Sequence, residues 1–205
     1  MFSQSAKKPL AVALGLWALW VEPGKIAAKE PSKVTAQSVA LPDGIHTFAE
    51  TVLEAPADKV AALLSSPTYF VPLFPAHRVD VIKEEGDKVL IAIEMRKPWP
   101  IGSVKWMENV VSFEDTSNHA FIVDRDALPG YFRRLRSRWR VEPLSSATQP
   151  RCRVTYDVTV QLSRWVPEWI LRRNHLGGVK ETMERLRDLV QKEGLVEPMP
   201  KQTQK

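Results

Sequence analysis

The segment WVPEWILRRNHLGGVKETMERLRDLVQKEG, residues 165–194, decides how the rest of the chain is read. From Leu176 onward its apolar residues Leu176, Val179, Met183, Leu186 and Val190 recur at gaps of three and four, with Trp169 ahead of them, which puts one apolar stripe on an α-helix. Pro167 suits a first helical turn and Glu168 complements the positive end of the helix dipole. Lys192 lies in the last turn, and Gly194 can close the helix in the left-handed conformation. Gly177 and Gly178 stand inside this pattern, where each costs about 1 kcal/mol relative to alanine. The pair implies a kink or close crossing over a strand, or room for a ligand beneath the helix. A stripe of this kind needs a surface to cover.

That surface lies upstream, where the period of the sequence is two. Strands are expected at 46–55, 79–85, 88–97, 103–113, 119–126, 131–143 and 151–163, separated by turn chemistry such as Gly86-Asp87 and Pro129-Gly130. A short helix over 57–64 follows the first strand. Residues 65–75, with Pro67, Pro72 and Pro75 among Tyr69, Phe70, Leu73 and Phe74, fit only a short broken helix or an aromatic-rich loop. Strands joined by short turns pair antiparallel, and a long terminal helix buries its stripe against one face of such a sheet. The fold class is therefore α+β, with a curved antiparallel sheet of about six to seven strands wrapped around the terminal helix. Alternation turns Leu135, Ser137, Trp139, Val141, Val154, Tyr156, Val158, Val160 and Leu162 inward and leaves Arg134, Arg136, Arg138 and Arg140 outside.

The ends read differently. Lys7 and Lys8 precede an apolar run from Leu10 to Val21, so residues 1–28 are expected to be a signal peptide or an N-terminal anchor. Residues 29–44 read as a linker, 45–194 as the folded domain and 195–205 as a disordered tail. The expected location is exported, in the periplasm or anchored to the inner membrane. A net charge of +5 favours anionic surfaces. Cys152 is the only cysteine, which excludes an intrachain disulfide and a cysteine-based metal site. It reads as a packing residue.

The element order, the opening Val52-Leu53-Glu54-Ala55-Pro56-Ala57 followed by Val60, the Trp139-Arg140-Val141 strand with Pro143 after it, and Pro167-Glu168-Trp169 entering a helix that ends near Leu186 and Leu189 resemble the helix-grip fold. The family is the START and polyketide cyclase/dehydrase superfamily, in the branch with coenzyme Q-binding proteins and ribosome-association toxins, and the resemblance covers roughly residues 45–193. It implies a deep apolar cavity between sheet and terminal helix that holds a lipid, sterol, quinone or polyketide. The candidate lining is Trp99, Trp106, Tyr131, Leu135, Trp139, Tyr156, Trp169, Leu176, Val179 and Met183, with Glu108 and Arg133 as polar groups able to orient a head group.

Three function classes follow. A carrier of a hydrophobic small molecule, docking on anionic membrane through Arg133–Arg140, Arg164, Arg172 and Arg173, agrees with the export signal and the charge. A cyclase or dehydratase stands by family analogy, with Glu94 and Glu108, or Asp124 and Asp126, as conceivable acid/base pairs. A ribosome- or RNA-interacting module would use the same arginines against phosphates, and export argues against it. There is no Gly-rich phosphate loop or nucleophile elbow, and His46, His77, His119 and His175 lack metal-ligand spacing, so no metal and no redox cofactor is expected.

Overall fold

A computed structural model describes residues 33–42, 44–96, 103–144, 149–163 and 168–195. The expected signal segment 1–28 and most of the tail lie outside them.

The chain runs β1 (Thr35–Leu41), β2 (Gly44–Leu53), α1 (Ala57–Ser65), a 3₁₀ turn at Pro67–Tyr69, α2 (Phe70–Leu73), then β3 (Arg78–Glu85), β4 (Lys88–Arg96), β5 (Ser103–Asp115), β6 (Ala120–Ala127), β7 (Phe132–Leu144), β8 (Arg151–Leu162) and α3 (Glu168–Lys192). All eight strands form one antiparallel sheet in the order β1-β2-β8-β7-β6-β5-β4-β3. After β2 the chain crosses to the opposite edge through α1 and α2, then meanders back until β8 docks beside β2, with Ile45 opposite Val160. α1 packs on β5 to β8, and α3 packs on β1, β2 and α2. This is the helix-grip arrangement expected, with eight strands among the described residues where about six to seven were expected.

The added strand is β1, which falls in the stretch read as a linker. Its inward residues Ala36, Ser38 and Ala40 are too small to register as hydrophobic alternation, yet they sit where α3 crosses the sheet and short side chains let a helix approach. Gly44 makes the turn into β2 at φ 141°, where a Cβ would meet the Val160 carbonyl oxygen at 2.4 Å. The short turn commits β1 to pair with β2 rather than trail into solvent.

From Leu135 onward alternation along β7 and β8 is as expected, with Trp139, Val141, Val154, Tyr156, Val158 and Val160 buried. The arginines outside are interleaved with acids. Arg138 makes two bonds of 2.7 Å to Asp124, Arg136 lies 3.1 Å from Asp126, and Arg140 is 2.8 Å from Glu142.

α3 is anchored unevenly. Its buried residues Val179, Thr182, Met183, Leu186, Leu189 and Val190 all follow the glycine pair. Gly177 and Gly178 are exposed, and a Cβ at either would meet nothing within 4 Å, which removes a close crossing as their reason. Thr182 Oγ1 donates back to the Gly178 carbonyl at 2.9 Å, a local bond of the kind that bends helices. Before the pair, His175 Nδ1 lies 2.8 Å from Thr47 Oγ1, whose own proton goes to Ser38 Oγ at 2.9 Å, so Nδ1–H donates to Thr47. Ser38 in turn donates to the His46 carbonyl at 3.3 Å. At the far end Gly194, at φ 64°, closes the helix: its N–H reaches the Gln191 carbonyl, and the Leu195 N–H reaches that of Val190. Leu195, assigned above to the tail, packs against the core as part of this cap.

Candidate functional site

The inner face of the sheet contains a charge that the sequence pattern did not flag. β6 is paired to β7 with Val123 opposite the inward-facing Trp139, so Arg125, two residues on, is inward as well. β5 pairs to β6 and carries Glu108 and Trp106 on the same face. Arg125 is 6% exposed and Glu108 3%, and Arg125 Nη2 donates to Glu108 Oε1. Trp106 Nε1 donates to the other carboxylate oxygen at 3.3 Å. A buried cation needs such a partner, because removal from water costs several kcal/mol per ion.

Aromatic rings from the proline-rich stretch complete the enclosure. Pro67 and Pro72 limit that stretch to one tight turn and one short helix, which turns Phe70 and Phe74 toward the sheet. The Arg125 guanidinium carbon lies 4.1 Å from the Phe70 ring centre and 4.3 Å from that of Phe74, a double cation–π contact. Phe74 meets Trp139 edge-on at 6.4 Å, and Trp139 stacks on Tyr156 at 3.9 Å and 12°. Burial lowers Arg125 to about 9, with Tyr156 opposing the shift, so it stays cationic at neutral pH. Burial raises the Tyr156 phenol, against the pull of Arg125 and a hydrogen bond with Ser137. One donor of this cluster is left over: Arg125 Nε is buried with no hydrogen-bond partner, as is Arg151 Nε at the start of β8 among the described residues.

Of the residues expected from sequence, Trp106, Glu108, Trp139 and Tyr156 surround Arg125, while Val179 and Met183 from α3 and the partly buried Leu135 pack in the same core. Tyr131 is half-buried, edge-on to Phe132, whose ring also meets Trp106 at 5.3 Å. Leu176 is half-buried. Two expectations are corrected. Arg133 is exposed, because the β7–β8 register shifts between Phe132 and Arg134 and breaks the alternation that aimed it inward. Trp169 is 69% exposed, since the stripe of α3 turns inward only later. Trp99 lies outside the described residues. Glu94 and Glu108 sit on opposite faces of the sheet, as Glu94 faces Lys105 and Glu108 faces buried Ile91, so they form no acid/base pair.

The space expected to be a deep cavity beneath α3 is occupied by Val179, Met183, Leu186 and Val190 packed on the sheet. A hollow of 420 Å³ opens instead on the other face of the sheet, the face of Glu94 and Lys105, lined also by Arg78, Asp80, Met107, Leu128 and Pro129. A second, of 570 Å³, lies among the acid–arginine ladder of Asp124, Asp126, Arg136, Arg138 and Asp157.

An antiparallel sheet gripping a C-terminal helix is the helix-grip fold, which the similar solved structures share. Residues 45–191 match the family described as polyketide cyclase / dehydrase and lipid transport, and the chain belongs to it. No curated protein sequence matches the chain. Among solved structures it is similar to a STAR-related lipid transfer protein (fragment 25–204) of Xanthomonas axonopodis, at 19% identity over 80% of this chain and 95% of that one, TM-score 0.64. It is also similar to the lipid transfer and protein localization domain of human StarD13, at 13% identity over 76% and 83%, TM-score 0.63. A third is the Zhui aromatase/cyclase of Streptomyces sp. R1128, at 14% identity over 72% and 92%, TM-score 0.53. At these identities the likeness is one of fold.

Proposed function

We propose that the protein binds, and carries, a hydrophobic small molecule such as a lipid, sterol or quinone whose polar head is a neutral hydrogen-bond acceptor. The observation that carries this reading is the unpartnered Nε–H of Arg125 inside an aromatic enclosure. A buried donor without an acceptor costs about 1–3 kcal/mol, and a carbonyl or hydroxyl oxygen repays it. Glu108 already balances the guanidinium charge, so a carboxylate or phosphate head would bring an uncompensated charge into the core. Binding is favoured over cyclase chemistry because Glu94 and Glu108 are held apart by the sheet. The apolar run at Leu10–Val21 supports carriage outside the cytoplasm.

Native mass spectrometry of the protein purified without detergent tests this. A neutral lipid or isoprenoid at near one per chain, lost in Arg125→Met, is the expected result. A wild-type chain that stays empty when offered neutral lipids would refute binding; selective uptake of fatty acids would refute the neutral head.

A further inference from the structure

The two edges of the sheet are built in opposite ways. β3, RVDVIKEE, carries five charged side chains, Arg78, Asp80, Lys83, Glu84 and Glu85, and its register shifts between Val81 and Lys83. Charges and a bulge are what keeps an edge strand from pairing with another chain. β1, TAQSVAL, has neither. It contains no charged residue and no proline, and its register with β2 is unbroken from Thr35 opposite Glu50 to Leu41 opposite Gly44. The neutral run extends from Val34 to Pro42 in a chain that is 26% charged. On its outer face Val39 is 51% exposed and Leu41 43%. Its inner face is already covered by α3, and among the described residues no strand lies on its free side.

We propose that β1 is a dimer interface whose occupant is the β1 strand of a second copy of this chain. Antiparallel pairing about a two-fold axis through Ser38 overlaps all seven residues. It keeps outer face on outer face, setting Val39 across from the partner's Gln37 and Leu41 across from the partner's Thr35. No charge is buried or left opposite a like charge, and the edge N–H and C=O groups of both strands gain partners. The strand offers nothing to a charged partner or a phosphate backbone, but is neutral against itself. The two sheets become one of sixteen strands. Because a single strand edge buries less than the roughly 1,600 Å² of a standard interface, the dimer is reversible.

Analytical ultracentrifugation of the full chain over a concentration series reads this out. The wild type is expected to pass from monomer to dimer, and Gln37→Lys combined with Val39→Lys to remain monomeric with unchanged circular dichroism, since both side chains point to solvent. Gln37→Cys with Val39→Cys should give a covalent dimer on oxidation. A wild type that is monomeric at every concentration, or a dimer that the lysine pair leaves intact, overturns the proposal.

Discussion

Arg125 and Glu108 meet across β5 and β6 inside the sheet, with the guanidinium held between Phe70 and Phe74 and the carboxylate also accepting from Trp106. Removing one partner strands the other. Glu108→Gln should lose about 3–5 kcal/mol in urea unfolding. Arg125→Met combined with Glu108→Leu should recover most of that loss while ligand occupancy stays abolished, separating the pair's structural cost from its binding role.

Helix α3 should be easy to stabilise at its glycines. Gly177→Ala and Gly178→Ala each place a methyl group in open space, and each should add up to about 1 kcal/mol, seen as a higher thermal midpoint. A lower midpoint in either variant would mean that the backbone there departs from helical geometry.

His175 predicts a pH dependence. Burial, and secondarily His46, lowers its imidazole to about 4, against about 6.5 in an unfolded chain. As pH falls from 6.5 toward 4 the unfolded chain takes up a proton that the folded one refuses, so this contribution is harmless above 6.5 and destabilising below it. Denaturant unfolding of wild type and His175→Gln across that window should show the wild type losing about 1–3 kcal/mol more.

Cys152 should be silent in the native state. It is fully buried opposite Leu53, and burial raises its thiol to about 12. A thiol reagent added at mildly alkaline pH should react only at the rate at which the chain unfolds; prompt labelling would refute the placement.

The sequence pattern made the elements that follow strong periods legible. α3 announced itself through Val179, Met183, Leu186 and Val190, and β7 and β8 through alternation that holds from Leu135 onward but not across the register shift at Phe132–Arg134. β1 escaped because alternation written in Ala36, Ser38 and Ala40 has no hydrophobic contrast. Arg125 escaped for the reverse reason: in Asp124-Arg125-Asp126 it looks like one more surface charge, and only the register with Trp139 shows which way it faces. Setting Phe121, Val123 and Arg125 against Trp139 and Ser137 would have found it. Phe70 and Phe74 were visible as residues, but their direction depends on how the prolines break the helix, which no period encodes.

The seam between β2 and β8 has a bearing on how the chain comes to be folded. β2 pairs with β1 in its own hairpin, but its other neighbour is the last strand to be synthesised, and α3, which seals both, comes after that. A nascent chain lacking residues beyond about Pro150 leaves β2 and β7 each short of a partner and the interior open to water. Long-range pairing of this kind is slow to form, so the sheet stays incomplete until β8 and α3 have both been made, and the hairpins that precede them wait on those two elements for their closing partners.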